Sequence, residues 1–171
     1  MPRLIARNAV SDFLLKDASW PAFKMNNKRR FDTSSYARRI EKPWGWEIHW
    51  VPDDKPYMGK IIHIKAGSRL SLQKHDQKLE SWFLMKGRAK VIWESEEEGE
   101  LVEVELEIGR GYTCQTNQRH RLAGITDCDI IEVSTPEIGT TYRLDDDYHR
   151  SDETPNERAK RNLASADASS K

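Results

Sequence analysis

Gln73 and His75 stand two residues apart in SLQKH, Glu80 follows in DQKLE, and His120 lies much later in NQRHRLAG. Side chains two apart on a strand share a face and are spaced about 6.5–7 Å along the chain. Gln73 and His75 therefore point the same way, and their donor atoms can converge on one ion at the ~2.0–2.2 Å typical of nitrogen and oxygen ligands. Glu80 begins the next alternating run, Glu80-Trp82-Leu84, so a hairpin-like return through DQKL would set its carboxylate beside His75. Two imidazoles, a carboxylate and an amide suit a divalent ion, with zinc the first expectation and manganese, cobalt, nickel or iron as alternatives. Such a set leaves positions open for a substrate oxygen. The competing account is plain: a chain that is 33% charged can supply these four residues on solvated strand faces without any metal.

The elements that must carry these residues read as strands. In LVEVELEI, Val102, Val104, Leu106 and Ile108 alternate with Glu103, Glu105 and Glu107, which predicts one buried face and one wet face. MGKIIHIK, ESWFLMKGRAKVIWE and DCDIIEVS alternate likewise, with breaks at Ala66-Gly67, Lys86-Gly87, Glu98-Gly99 and Gly109-Arg110-Gly111. Short alternating runs between turn residues predict an all-β sandwich or barrel over residues 41–150. Residues 1–40 read as an N-terminal extension, with one short helix in NAVSDFLLKDA and a basic cluster of Lys28, Arg29, Arg30, Arg38 and Arg39. Residues 151–171, charged and without aromatic side chains, read as a flexible, disordered tail.

Glycines frame the four candidate ligands. Gly67-x5-Gln73-x-His75-x4-Glu80-x6-Gly87 resembles the first motif of the cupin family, with glutamine where many cupins carry a first histidine. Gly109-x5-Gln115-x-Asn117-x-x-His120-x3-Gly124 keeps the spacing of the second cupin motif, although that motif's Pro, Gly and Asn are replaced. Asn tolerates positive φ better than most residues, so Asn117 suits the same turn. EKPWGWE, Lys60, AGSRLSLQKH, ESWFLMKGRAKV, HRL, IIEVS and YRLDDDYHR together resemble the cupin domain of type II mannose-6-phosphate isomerases. That domain often sits behind a mannose-1-phosphate guanylyltransferase domain. The upstream residues 1–40 carry no glycine-rich phosphate loop, so guanylyltransferase activity is not expected.

The resemblance implies a cupin fold, a double-stranded β-helix or jelly-roll barrel, with a divalent metal ion held by Gln73, His75, Glu80 and His120. It also implies an isomerase that interconverts an aldose and a ketose phosphate by moving a proton between C1 and C2. Such chemistry needs a cation where negative charge develops on the substrate oxygen, a proton-transfer group, and Arg or Lys for the phosphate. Lys60, in the strand before the metal motif, and Glu132, in IIEVS, are the candidate catalytic residues. Arg69, Arg121 and Arg143 are the candidate substrate-binding arginines, and Trp82, on the Glu80 face, is a candidate pocket wall. Each arginine has a structural alternative, since Asp145, Asp146 and Asp147 lie near Arg143 and strand alternation turns Arg121 away from His120. Trp44, Trp46 and Trp50, if on one face, would form a sugar-stacking platform or a hydrophobic cover over one barrel end. His63 and His149 lack partners at ligand spacing and read as surface or outer groups.

Basic and acidic residues balance at 28 each, so charge points to neither nucleic acid nor an anionic membrane as a partner. No stretch approaches the ~18 apolar residues of a membrane span, and the start lacks the apolar centre of a secretory signal. Cys114 and Cys128 have no C-x-x-C spacing and read as buried thiols of a reducing compartment, so a cytoplasmic protein is expected. The expected partner is a small-molecule sugar phosphate, and exposed β edges favour a homodimer. Two further functions stay open: a non-catalytic cupin that binds a sugar or small ligand, and metal-dependent oxygen chemistry. The glutamine argues against the second, because iron oxygenases rely on histidines and a carboxylate.

Overall fold

The computed structural model describes residues 34–95 and 99–160. In chain order the strands are β1 (Arg38–Lys42), β2 (Gly45–His49), β3 (Met58–Ile64), β4 (Leu72–His75), β5 (Glu80–Lys86) and β6 (Ala89–Glu94). They continue as β7 (Leu101–Glu105), β8 (Gly111–Cys114), β9 (His120–Gly124), β10 (Cys128–Ser134) and β11 (Thr141–Asp145). A short helix, α1, follows at residues 155–160. All strand pairings are antiparallel, and they build two sheets, one ordered β1-β2-β3-β10-β5-β8 and the other β11-β4-β9-β6-β7. The all-β architecture expected from the alternating runs is therefore what forms.

The pleat of the six-stranded sheet sorts its inner face into rows. Register aligns Ile62, Ile130 and Leu84 in one row and Lys60, Glu132 and Trp82 in the next inward row. The first three are almost fully buried and pack with Ile64, Val91 and Leu122. Each such side chain contributes about 1.5–3 kcal/mol relative to leaving it exposed. One step of two residues along the same strands brings ionic groups inside, since Lys60 and Glu132 are each only 4% exposed.

Four expectations change. LVEVELEI is strand only to Glu105 and lies at the edge of its sheet, so of the four alternating apolar residues Leu106 is buried while Ile108 is 64% exposed. With one neighbouring strand, its glutamates pair across to β6 and its approach: Glu103 binds Lys90 and Glu105 binds Arg88. The barrel begins at Arg38 rather than residue 41. Arg38 and Arg39 are held by Asp53 and Glu41, while residues 1–33, including the rest of the basic cluster, lie outside the described residues.

The disordered tail expected from residue 151 is replaced, through residue 160, by a docked segment. Glu153 and Thr141 exchange backbone hydrogen bonds of 3.0 and 3.1 Å, and the Thr154 hydroxyl accepts the Glu157 N–H at 3.3 Å. Pro155 occupies the first helical position, where its missing N–H costs nothing, so α1 starts where capping rules place it. Residues 161–171 lie outside the described residues. The three tryptophans also separate. Trp44 is buried in the turn before β2, Trp46 stacks on His63 at 4.7 Å, and Trp50 lies over Gly59. The turn at Pro43-Trp44 breaks the alternation that would have put them on one face.

No described helix is long and apolar enough to cross a membrane. Gly87 marks the tightest of the predicted breaks: φ is +79°, and a Cβ there would lie 2.1 Å from the Asp127 carbonyl oxygen. Gly99 has a similar φ of +84° but open space around it. Gly87→Ala should cost about 2–4 kcal/mol and Gly99→Ala about 1 kcal/mol in chemical denaturation, because only the first adds a backbone clash to conformational strain. Equal losses would refute this account of the turn.

Candidate metal centre and its cavity

Gln73 and His75 come from β4 and His120 from β9, with Gln73 and His120 directly opposed across the two strands. Glu80 opens β5 in the facing sheet, so one carboxylate from one layer meets three donors from the other. One ligand atom from each of His75, Glu80 and His120 lies within 4.8 Å of the others. Glu80 Oε1 is 2.7 Å from His120 Nε2 and 3.3 Å from His75 Nε2. The Gln73 carboxamide nitrogen is 3.4 and 3.5 Å from the same two imidazole nitrogens. Half a turn of that amide presents its oxygen instead, which is the atom able to bind a cation.

The outer ring nitrogens are also engaged. His120 Nδ1 lies 2.9 Å from the Gln118 carbonyl and 3.0 Å from Cys114 Sγ, while His75 Nδ1 lies 3.0 Å from Thr141 Oγ1. A carbonyl only accepts, so Nδ1 of His120 carries a proton and Nε2, facing inward toward Glu80, is the nitrogen that can bind a cation once its own proton is lost. Asn117 holds the turn before His120 at φ +61° and donates its N–H to the His75 carbonyl at 2.7 Å. Donor chemistry and convergence both fit a single divalent ion.

Burial would raise the Glu80 carboxyl, but Lys78 and the two imidazoles outweigh it and hold the group well below the usual carboxylate range. Burial would lower His120, yet Glu80 and Cys114 push it up to about 10. His75 moves the other way: burial dominates over Glu80 and lowers it. Lys78 bridges the centre to a second carboxylate, donating to Glu80 at 2.6 Å and to Glu132 at 2.7 Å. Lys60 pairs with Glu137 and lies 3.7 Å from Glu132. Burial opposes the charge on both lysines, but Glu132 with Glu80 or Glu137 raises them above the ordinary lysine range.

A narrow cavity of about 60 Å³ adjoins Gln73 and His75 and is lined further by Lys60, Lys78, Glu132 and Arg143. Trp44 also lines it, and its buried indole N–H finds no acceptor among the described residues. Lys42, Arg143, Arg150 and Glu153 line both this cavity and a more open outer cleft, so they stand between the interior and solvent.

A family model described as mannose-6-phosphate isomerase C-terminal matches residues 28–153. The chain belongs to that family. Among solved structures, oxalate decarboxylase of Lactobacillus farciminis in its formate complex aligns with a TM-score of 0.54 at 20% identity, covering 63% of this chain and 34% of that one. The capsular polysaccharide assembling protein CapF of Staphylococcus aureus aligns at 0.51 with 12% identity, covering 72% and 33%. Bacillus subtilis oxalate decarboxylase with its Mn(II) centres aligns at 0.50 with 15% identity, covering 69% and 30%. The chain thus spans about a third of the length of these structures, and at such identities the likeness shows the fold, a cupin jelly roll. No curated protein matches.

Within this isomerase-family cupin, the structure gathers the four expected ligands and sets Lys60, Glu132 and Arg143 around the adjoining cavity. It does not bring in Arg69 or Arg121. Arg69 is on the surface, held by both oxygens of Asp147 at 2.7 Å. Arg121 is buried on the reverse face of β9, where it binds Asp145 at 2.9 Å through the carboxylate and 2.6 Å through the carbonyl. Alternation from His120 sends it outward, so both arginines make structural ion pairs. Trp82 is buried with its ring centre 5.3 Å from that of His120 and walls the ligand set rather than the cavity. Lys78, Glu47 and Glu137 are cavity residues that the sequence reading did not single out.

His75→Ala or Glu80→Gln should remove stoichiometric zinc or manganese from the purified protein, measured by elemental analysis, while Arg69→Gln keeps it. The proton on His120 competes with the ion, so below about pH 10 affinity should rise about tenfold per pH unit, with one proton released on binding. Calorimetry at pH 7 and 8 in buffers of different ionisation enthalpy checks this, and an affinity flat with pH would contradict it.

Proposed function

We propose that this protein is a metal-dependent isomerase that interconverts an aldose and a ketose phosphate, with mannose 6-phosphate as the first substrate to test. The observation that carries this reading is the cavity itself, where Gln73 and His75 of the four-donor centre, a buried carboxylate beside two ammonium groups, and three arginines share one space. A divalent ion, zinc first, held by Gln73, His75, Glu80 and His120 would supply Lewis-acid polarisation of the substrate oxygen.

The chain's own residues divide the remaining work. Lys60 and Lys78 are kept protonated by their carboxylate neighbours, so neither serves as the base, and Lys60 acts by positioning Glu132 and Glu137. Glu132, fixed by Lys78 at 2.7 Å, is the carboxylate that takes the proton from one substrate carbon and returns it to the next. Arg143 is the guanidinium on the cavity wall suited to the phosphate. The Trp44 indole N–H is a spare donor for a sugar hydroxyl.

The reading takes the protein as a cytoplasmic homodimer. Free, buried Cys114 and Cys128 fit a reducing compartment, and the exposed Phe83, Met85 and Val133 on the outer sheet face fit self-association. A ligand-binding cupin without turnover is the second reading, favoured by the ion pair that holds Glu132 against Lys78 at 2.7 Å and opposes its use as a base.

Zinc- or manganese-loaded protein should convert mannose 6-phosphate to fructose 6-phosphate in a coupled assay. Glu132→Gln should lower kcat by about 10²–10⁴-fold with metal content retained. Tight sugar-phosphate binding without product would select the second reading, and oxygen consumption would displace both.

A further inference from the structure

The segment Ser151–Lys160 closes the cavity with charge. Arg143 on β11 and Arg158 on α1 both line the cavity, and Glu153 joins them, 3.0 Å from Arg143 Nη2 and 3.3 Å from Arg158 Nε. Arg158 also donates to the Gly139 carbonyl at 3.3 Å and lies 3.6 Å from Glu137, which is paired in turn with Lys60. A chain of ionic contacts therefore runs from a buried lysine out to the C-terminal helix. Strand pairing adds little to this attachment: the segment meets the barrel through one isolated bridge, between Thr141 and Glu153. Arg158 itself falls beyond residue 153, where the family match ends.

A cavity of about 60 Å³ does not admit a hexose phosphate, so the partition that separates it from the outer cleft must move for one to reach the centre. The members of that partition are Lys42, Arg143, Arg150 and Glu153. The Arg143, Arg158 and Glu153 side chains are only 11%, 12% and 16% exposed, so a ligand that opens these pairs must replace their contacts, and a dianion offers two guanidiniums more charge and more acceptor oxygens than a carboxylate does. Arg143 has a donor in reserve, since its buried Nε finds no acceptor among the described residues.

We propose that Ser151–Lys160 is a cap latched by its own carboxylate. Glu153 occupies Arg143 and Arg158 while the cavity is closed, and the phosphoryl group of an incoming sugar phosphate displaces it and takes both guanidiniums. This rests on the sugar-phosphate reading of the site. It makes the C-terminal segment, rather than the barrel alone, the element that distinguishes phosphorylated from free sugars.

Calorimetry with inorganic phosphate on the metal-loaded full chain tests the exchange. Glu153→Gln should bind phosphate about tenfold more tightly than the unaltered protein, and Arg158→Gln about tenfold more weakly. Equal affinity in the unaltered protein and Glu153→Gln overturns the latch. Limited trypsin digestion gives an independent reading: cleavage within residues 151–160 should be faster in Glu153→Gln and return to the original rate with phosphate. Cleavage that ignores phosphate also overturns it. Neither measurement needs turnover, so an inert protein that shows the exchange keeps the cap and loses the isomerase, whereas an active protein without it loses only the cap.

Discussion

A carboxylate buried in a β-barrel must be met by positive charge, and Glu80 is the group around which the interior is arranged. It touches two imidazoles and one ammonium, and the same ammonium reaches Glu132. Around the cavity four carboxylates, Glu47, Glu132, Glu137 and Glu153, face three ammonium groups, Lys42, Lys60 and Lys78, and three guanidiniums, Arg143, Arg150 and Arg158. Behind them Glu80 Oε1 lies 2.7 Å from His120 Nε2. Buried ion pairs are weak contributors to net stability, but removing one partner leaves a costly lone charge. Such a network therefore fixes where each member can sit.

The fold delivers these groups through the two-residue repeat of its strands. On β3, Ile62 and Ile64 belong to the core and Lys60 to the cavity, while on β10 Ile130 belongs to the core and Glu132 to the cavity. One half of each strand supplies the burial that orders the barrel, and the other half presents ionisable side chains. The centre itself straddles both sheets, because Glu80 comes from one layer and the imidazoles from the other. Chemistry and folding thus share the same strands.

Most of the site was readable in the sequence because its spacing is local. Gln73 and His75 share a face by alternation, and the glycine framing tied them to Glu80 and His120. Lys78 was equally within reach, since it stands two before Glu80, the same step that links Gln73 to His75, but DQKL looks like a plain turn. Glu137 was not, because its partners Lys60 and Arg158 are distant in the chain. Alternation misled at LVEVELEI, where periodicity cannot say whether a strand has one neighbour or two. Composition misled at residues 151–160: few apolar residues predict disorder, yet Thr154-Pro155-Asn156-Glu157 carries a helix start, and ion pairs rather than apolar burial dock the segment.

Strands β4 and β9 are joined at a single register position, Gln73 opposite His120, far fewer than the seven positions aligned between β3 and β10. An ion gripped from both layers at that point is a fastener across the thinnest seam of the barrel. Binding to the native state alone shifts the folding equilibrium by mass action, and chains that unfasten are the ones proteases reach. An ion held by these donors would make the chain's resistance to proteolysis depend on metal supply.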